Sequence, residues 1–173
     1  MIERLKLTYL PAEDRLELCI FAAAPNRVHR LHLTRRVTRG WLEQIARIVE
    51  LSAQPPASAQ PEARAAIARL HHEALAAKVT YAKSSGDDAL QARAAAAPAR
   101  LVTALSCGRS KQDGRWILHF SLAPGEAVSL ALSAETLHGL VQLLAAQLQS
   151  TDWQLDLPVL RAPVARAAEG VMH

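Results

Sequence analysis

Aromatic residues are scarce in this chain of 173 residues: 3 Trp, 2 Tyr and 2 Phe make 4% of it. Binders of single-stranded nucleic acid usually offer aromatic platforms on which bases stack. Only Tyr9 and Phe21 stand near strands that could do this, which argues against that mode, and the core has to be built from aliphatic side chains. Cysteine is scarcer still. Cys19 and Cys107 form no CxxC and no metal-ligand spacing, which excludes a disulfide framework. Both are expected to be small, buried apolar side chains. The 7 glycines include no G-x-G-x-x-G and no G-x-x-x-x-G-K, so no phosphate-cradling loop is expected. G-x-S-x-G and H-E-x-x-H are missing as well. We therefore expect no enzymatic activity, no cofactor and no metal. No apolar run approaches the roughly 20 residues of a membrane-spanning helix, so no membrane partner is expected. The N-terminus enters an alternating pattern at once rather than a signal peptide, and a cytoplasmic location is expected.

What is present is pattern. Half the residues are hydrophobic and 21% are charged, as in an ordinary globular protein. The segment from Asp14 to Val49 can be laid over Asp113 to Leu148 at a constant offset of 99 residues. Asp14 then meets Asp113, Phe21 meets Phe120, Gly40-Trp41-Leu42 meets Gly139-Leu140-Val141, and Ala46 meets Ala145. Repeats of this kind decide architecture before any single element does.

Each half reads strand, strand, strand, helix. Leu5, Leu7 and Tyr9 alternate with polar residues, as do Leu16, Leu18 and Ile20, and Leu31 and Leu33. A period of two predicts half-buried strands. After Thr34 the period lengthens: Trp41, Leu42, Ile45, Ile48 and Val49 form one helical stripe. The second half repeats this with a strand over Leu101–Arg109, Trp116/Leu118/Phe120/Leu122, Val128/Leu130/Leu132, and a helix capped by Ser133 whose stripe is Leu137, Leu140, Val141, Leu144 and Leu148. In the second strand both apolar sets fall on even positions, which an offset of 99 cannot pair. A one-residue bulge or slip between the halves is expected there.

The fold class read from this pattern is α+β: a duplicated β-β-β-α unit with pseudo-twofold symmetry, its antiparallel sheet or sheets covered by helices. One domain is expected over 1–157, with repeat 1 at 1–53, a helical and low-complexity insertion at 54–100, and repeat 2 at 101–157. Within the insertion Pro61-Glu62 opens a helix running toward Lys83, while Ser84 to Ala99 reads as a loop with one helical turn. Trp153, Leu155 and Leu157 alternate as a short final strand. Residues 158–173 read as a disordered tail.

The net charge is +4 and the isoelectric point about 9.5. The most unusual stretch is Arg27 to Arg39, with five arginines, two histidines and no acid. Its counterpart, Glu126 to His138, has two glutamates and no arginine. Arg30 and His32 share the strand face opposite Leu31 and Leu33. Arg4, Lys6 and Arg15 can join them if neighbouring strands pair as hairpins. With Arg27, Arg35, Arg36 and Arg39 they form the candidate anion- or partner-binding set, since Arg binds carboxylates and phosphates in a bidentate fork. His29 and His32 point to opposite faces and cannot share a metal. His71 and His72 diverge on a helix and are expected to face solvent. Two functions follow from the pattern. The first is a non-catalytic binding or assembly module that presents a sheet face or edge to a protein partner or to a second copy. The alternative is binding of nucleic acid or another polyanion through Arg27–Arg39.

Overall fold

A computed structural model describes residues 2–22, 27–79, 88–157 and 160. The strands are β1 (Ile2–Leu10), β2 (Arg15–Ala22), β3 (Arg27–Thr34), β4 (Ala99–Arg109), β5 (Trp116–Leu122) and β6 (Glu126–Leu132). The helices are α1 (Arg35–Ala53), α2 (Pro61–Ala76), α3 (Asp88–Ala96) and α4 (Ala134–Leu148). The class is α+β, as the alternating and helical periods predict.

The strands form a single sheet in sequence order, β1 to β6. It is mixed rather than purely antiparallel, because β3 pairs with β4 in parallel over Arg30–His32 and Ala99–Leu101. The reason is the insertion. A parallel neighbour requires a long crossover, and α1, α2 and α3 supply it.

Each half places its alternating apolar residues on one sheet face. Leu16, Leu18, Ile20, Leu31 and Leu33 from one half and Trp116, Leu118, Phe120, Leu130 and Leu132 from the other are buried. They share one apolar cluster with Trp41, Ile45 and Val49 of α1 and with Leu137, Leu140 and Leu144 of α4. Each such side chain contributes about 1.5–3 kcal/mol when fully buried. Thr34 caps α1 by accepting from the Val37 amide, and Ser133 caps α4 by accepting from the Thr136 amide.

The hairpins β1–β2 and β4–β5 pair in similar registers. Leu5 pairs with Ile20 and Leu105 with Phe120; Leu7 pairs with Leu18 and Cys107 with Leu118. Corresponding positions in these hairpins therefore differ by 100, not 99. Both hairpins also carry a register shift at the same place, between Ile2 and Arg4 and between Val102 and Ala104. In β3 and β6, Leu16 pairs with Leu33 and Trp116 with Leu132, so the difference returns to 99 there. Four residues separate β2 from β3, against three between β5 and β6. At that spacing of 100, Asp14 lines up with Gly114 rather than with Asp113. Both have positive φ, 49° and 69°, as their tight turns require.

The helices cross from half to half. Gln44 of α1 donates through Nε2 to the Leu105 carbonyl at 2.9 Å and accepts from the Cys107 amide at 2.9 Å. Its carboxamide fills the edge of β4 where the short pairing with β3 has ended. Gln147 of α4 accepts from the Tyr9 amide of β1 at 2.8 Å.

α2 lies across α1 and α4, on the side away from the sheet, and buries Ala68, His72, Leu75 and Ala76. It ends at Ala76, short of Lys83; residues 80–87 lie outside the described residues. α3 replaces the expected loop: its alanines favour a helix without any apolar stripe to announce it. No strand forms at Trp153–Leu157. Trp153 and Leu157 are buried as the alternation suggests, but Gln154 has φ 53°, which breaks an extended backbone. The expected tail lies outside the described residues apart from Leu160.

Candidate functional site

Three features could carry a function. The first is the sheet face turned away from α1 and α4. Hairpin register lines up Arg4, Phe21 and Val28 in one row of it, Lys6, Cys19 and Arg30 in the next, then Thr8, Glu17 and His32, then Leu10, Arg15 and Thr34. The structure thus brings Arg4, Lys6, Arg15, Arg30 and His32 to one face, as the alternation predicts. It does not gather all nine candidates. Arg27 stands at the start of β3, and Arg35, Arg36 and Arg39 follow its end in the first turns of α1. Eight residues of strand separate these groups by roughly 25 Å.

Sequence reading missed the acid at the centre of this face. Glu17 pairs with the Arg30 guanidinium, and its Oε2 lies 3.1 Å from His32 Nε2. Glu13 approaches His32 Nδ1 at 3.5 Å. Burial pushes the Glu17 carboxyl up, but hydrogen bonds from Arg30 and His32 outweigh it and hold it below the ordinary range. The stretch Arg27–Arg39 lacks acids only along the chain; its neutralising carboxylate comes from the next strand. The alternation of β2 could have revealed this, since Glu17 occupies the same face as Arg15. Nor is the whole face open to solvent. Cys19 and Phe21 are buried, and Arg93 of α3 covers the Phe21 ring at 5.8 Å. Burial pushes both thiols, Cys19 and Cys107, up to about 11. Both are free, and Cys107 is only partly buried.

The second feature overturns an expectation. His72 does not face solvent; it is 1% exposed, and His138 of α4 is 0% exposed. Their Nδ1 atoms are 2.9 Å apart. His72 Nε2 lies 3.2 Å from Gln142 Oε1, His138 Nε2 lies 3.2 Å from Ser52 Oγ, and Ser52 Oγ lies 3.3 Å from His71 Nε2. One proton arrangement satisfies the whole line with neutral rings. His72 donates from Nε2 to Gln142, so its Nδ1 accepts from His138 Nδ1–H. His138 Nε2 then accepts the Ser52 hydroxyl, whose oxygen accepts from His71. Burial lowers the pKa of both buried rings, that of His138 to about 4, with the neighbouring imidazoles adding to the effect there. The line joins α1, α2 and α4 across 66 residues of sequence between His72 and His138. No local motif marks it.

The third feature is in the second half of the sheet. Arg115 stands just before β5, at the position Arg15 holds in β2, and the rows matching the other three of the first half are Ala104–Ser121–Ala127, Ser106–His119–Ser129 and Gly108–Ile117–Ala131. These rows hold no Asp, Glu, Lys or Arg. His119 is exposed and shares a 2.9 Å hydrogen bond with Ser129. Among the described residues β6 ends the sheet, and the outward side chains of its central residues are Ala127, Ser129 and Ala131, all small and exposed. Charge is one of the usual devices against edge-to-edge pairing, and these positions carry none. No family model matches this chain, and neither a curated protein nor a solved structure proves similar to it.

Proposed function

We propose that the chain is a non-catalytic binding and assembly module built from a duplicated β-β-β-α unit, and that it takes a strand of a protein partner on the open edge of β6. Three observations support the duplication. The hairpins share their register and their irregularity, the capped helices follow in the same position, and the cross-contacts are reciprocal. α1 reaches β4 of the other half through Gln44, and α4 reaches β1 through Gln147. Such exchange is what a fused pseudo-twofold dimer requires.

One observation carries the function. The outer edge of β3 accepts β4 as a parallel neighbour. The corresponding edge of β6 has no neighbouring strand among the described residues. Its backbone groups form a template for strand addition, in which main-chain hydrogen bonds give affinity and alternate side chains give specificity. The small, uncharged rows beside it let a partner lie close. In the first half the same rows carry Lys6, Glu17, Arg30 and His32, and α3 covers part of them.

Sedimentation velocity and pull-down of the intact chain test this reading with the double variant Ser129→Lys/Ala131→Lys. Both positions are exposed, so the circular dichroism spectrum should be unchanged. Self-association or partner capture should weaken tenfold or more, since each tenfold is about 1.4 kcal/mol. Binding at full strength by the double variant would sink the β6 reading. Loss of oligonucleotide binding in an Arg35→Glu/Arg36→Glu/Arg39→Glu variant, with partner capture unaffected by the lysines, would favour the polyanion reading instead.

A further inference from the structure

We propose that α2 is an acid-released latch: the hydrogen-bonded His72–His138 pair seats it on α1 and α4 at neutral pH, and protonation of that pair lifts it off. The inference is independent of what binds β6.

The geometry sets the requirement. An Nδ1···Nδ1 contact of 2.9 Å needs one ring nitrogen to donate and the other to accept. A proton added to His72 Nδ1 leaves two N–H groups facing each other. A proton added to His138 at Nε2 puts a full charge on a ring that is 0% exposed. Among the described residues, neither charge has a carboxylate in hydrogen-bonding contact. From α2 the pair is faced by His71 and Glu73, from α4 by Glu135 and Gln142, and from α1 by Ser52. Lys78, just beyond α2, acts on Glu135. Glu73 and Glu135 favour protonation, but burial and the neighbouring imidazoles oppose it, and opposition prevails at both rings. The seat is close elsewhere as well. A Cβ on Gly139 of α4 would stand 2.9 Å from Val79 Cγ2, so glycine lets the chain after α2 approach α4.

The sign follows from linkage. A histidine freed by undocking binds a proton near 6.5, whereas docked His138 resists until about 4. Between those values the undocked form holds more protons. Docking is therefore at full strength above about pH 7 and weakens as pH falls from 6.5 toward 4. His138 alone raises the opening constant by up to about tenfold per pH unit, and His72, lowered as well, adds in the same direction. The carboxylates that tie the sheet, Glu17 and Asp14, are held below their ordinary values and remain ionised through most of this window. Release of α2 thus precedes acid unfolding of the sheet.

Hydrogen exchange on the intact chain, corrected for intrinsic rates, tests the latch. Between pH 7 and pH 5, amides of Pro61–Ala76 should lose protection at least tenfold while those of β2 and β5 keep theirs. In a His72→Gln/His138→Gln variant that pH dependence should vanish. Should the variant not fold, proton NMR of the wild-type rings gives the same answer. His72 and His138 should stay neutral, with Nε2–H on the first and Nδ1–H on the second, until α2 opens. Flat α2 protection over this range, an unchanged pH dependence in the double variant, or rings titrating near 6.5 with α2 still protected would each overturn the proposal.

Discussion

Gln44→Ala is expected to destabilise the chain by about 2–4 kcal/mol, read as a lower urea midpoint at unchanged slope. The side chain lies against a stretch of β4 that has no strand on that side. It satisfies the Leu105 carbonyl and the Cys107 amide together, each at 2.9 Å. Removing it leaves two partly buried backbone groups without their partner, at about 1–3 kcal/mol each. Gln44→Glu keeps the acceptor for Cys107 but sets a carboxylate oxygen against the Leu105 carbonyl, so it should cost at least as much. Gln147 makes a single contact, to the Tyr9 amide, and Gln147→Ala should cost about 1 kcal/mol. The ratio between the two variants is informative, because contact length is nearly equal and only the number of groups served differs.

Trp153→Ala should cost about 3–5 kcal/mol, the range for emptying a buried aromatic site. Trp153 is 2% exposed, packs edge-on against Tyr9 at 5.8 Å and 81°, and donates from Nε1 to Asp14. Tyr9 donates to the same carboxylate oxygen at 2.9 Å. The segment after α4 is thereby fastened to the β1–β2 turn. Trp153→Phe keeps most of the packing and loses the donor, so it should cost about 1–2 kcal/mol. The two variants also differ in acid. Hydrogen bonds from Trp153, then Tyr9, hold the Asp14 carboxyl below its ordinary value. That contribution is complete above about pH 4 and is lost as pH falls through the depressed value. Trp153→Phe should therefore shrink the loss of stability in strong acid.

Much of the fold can be read from single residues. Leu16, Leu18 and Ile20 announce a half-buried strand, and Trp41, Ile45 and Val49 a helix, because burial on one side imposes a period of two or of 3.6. The caps Thr34 and Ser133 are legible for the same local reason. What stays hidden is whatever depends on pairing across the chain. Glu17 neutralises Arg30 from a neighbouring strand, and a reading along Arg27–Arg39 passes over it. His72 and His138 meet only once α2 has crossed α1 and α4, and polar residues on a helix give no sign of burial before that. The β3–β4 join is parallel because the insertion carries the chain back, a consequence of topology rather than of any dipeptide. Asp14 illustrates the limit most plainly. It aligns by identity with Asp113, yet its left-handed backbone matches Gly114, since turns are equivalent by conformation and not by letter.

If β6 takes a partner strand, its outer edge is an unfilled position in the sheet of the free chain. Amide hydrogen exchange across Glu126–Leu132, followed from dilute monomer to high concentration and then with captured partner, tests it most directly. The outward-facing amides of β6 should exchange freely in the dilute monomer and become protected, together and in alternation, once a strand is added. Amides already protected in the dilute monomer, or left unprotected when a partner is bound, would contradict it.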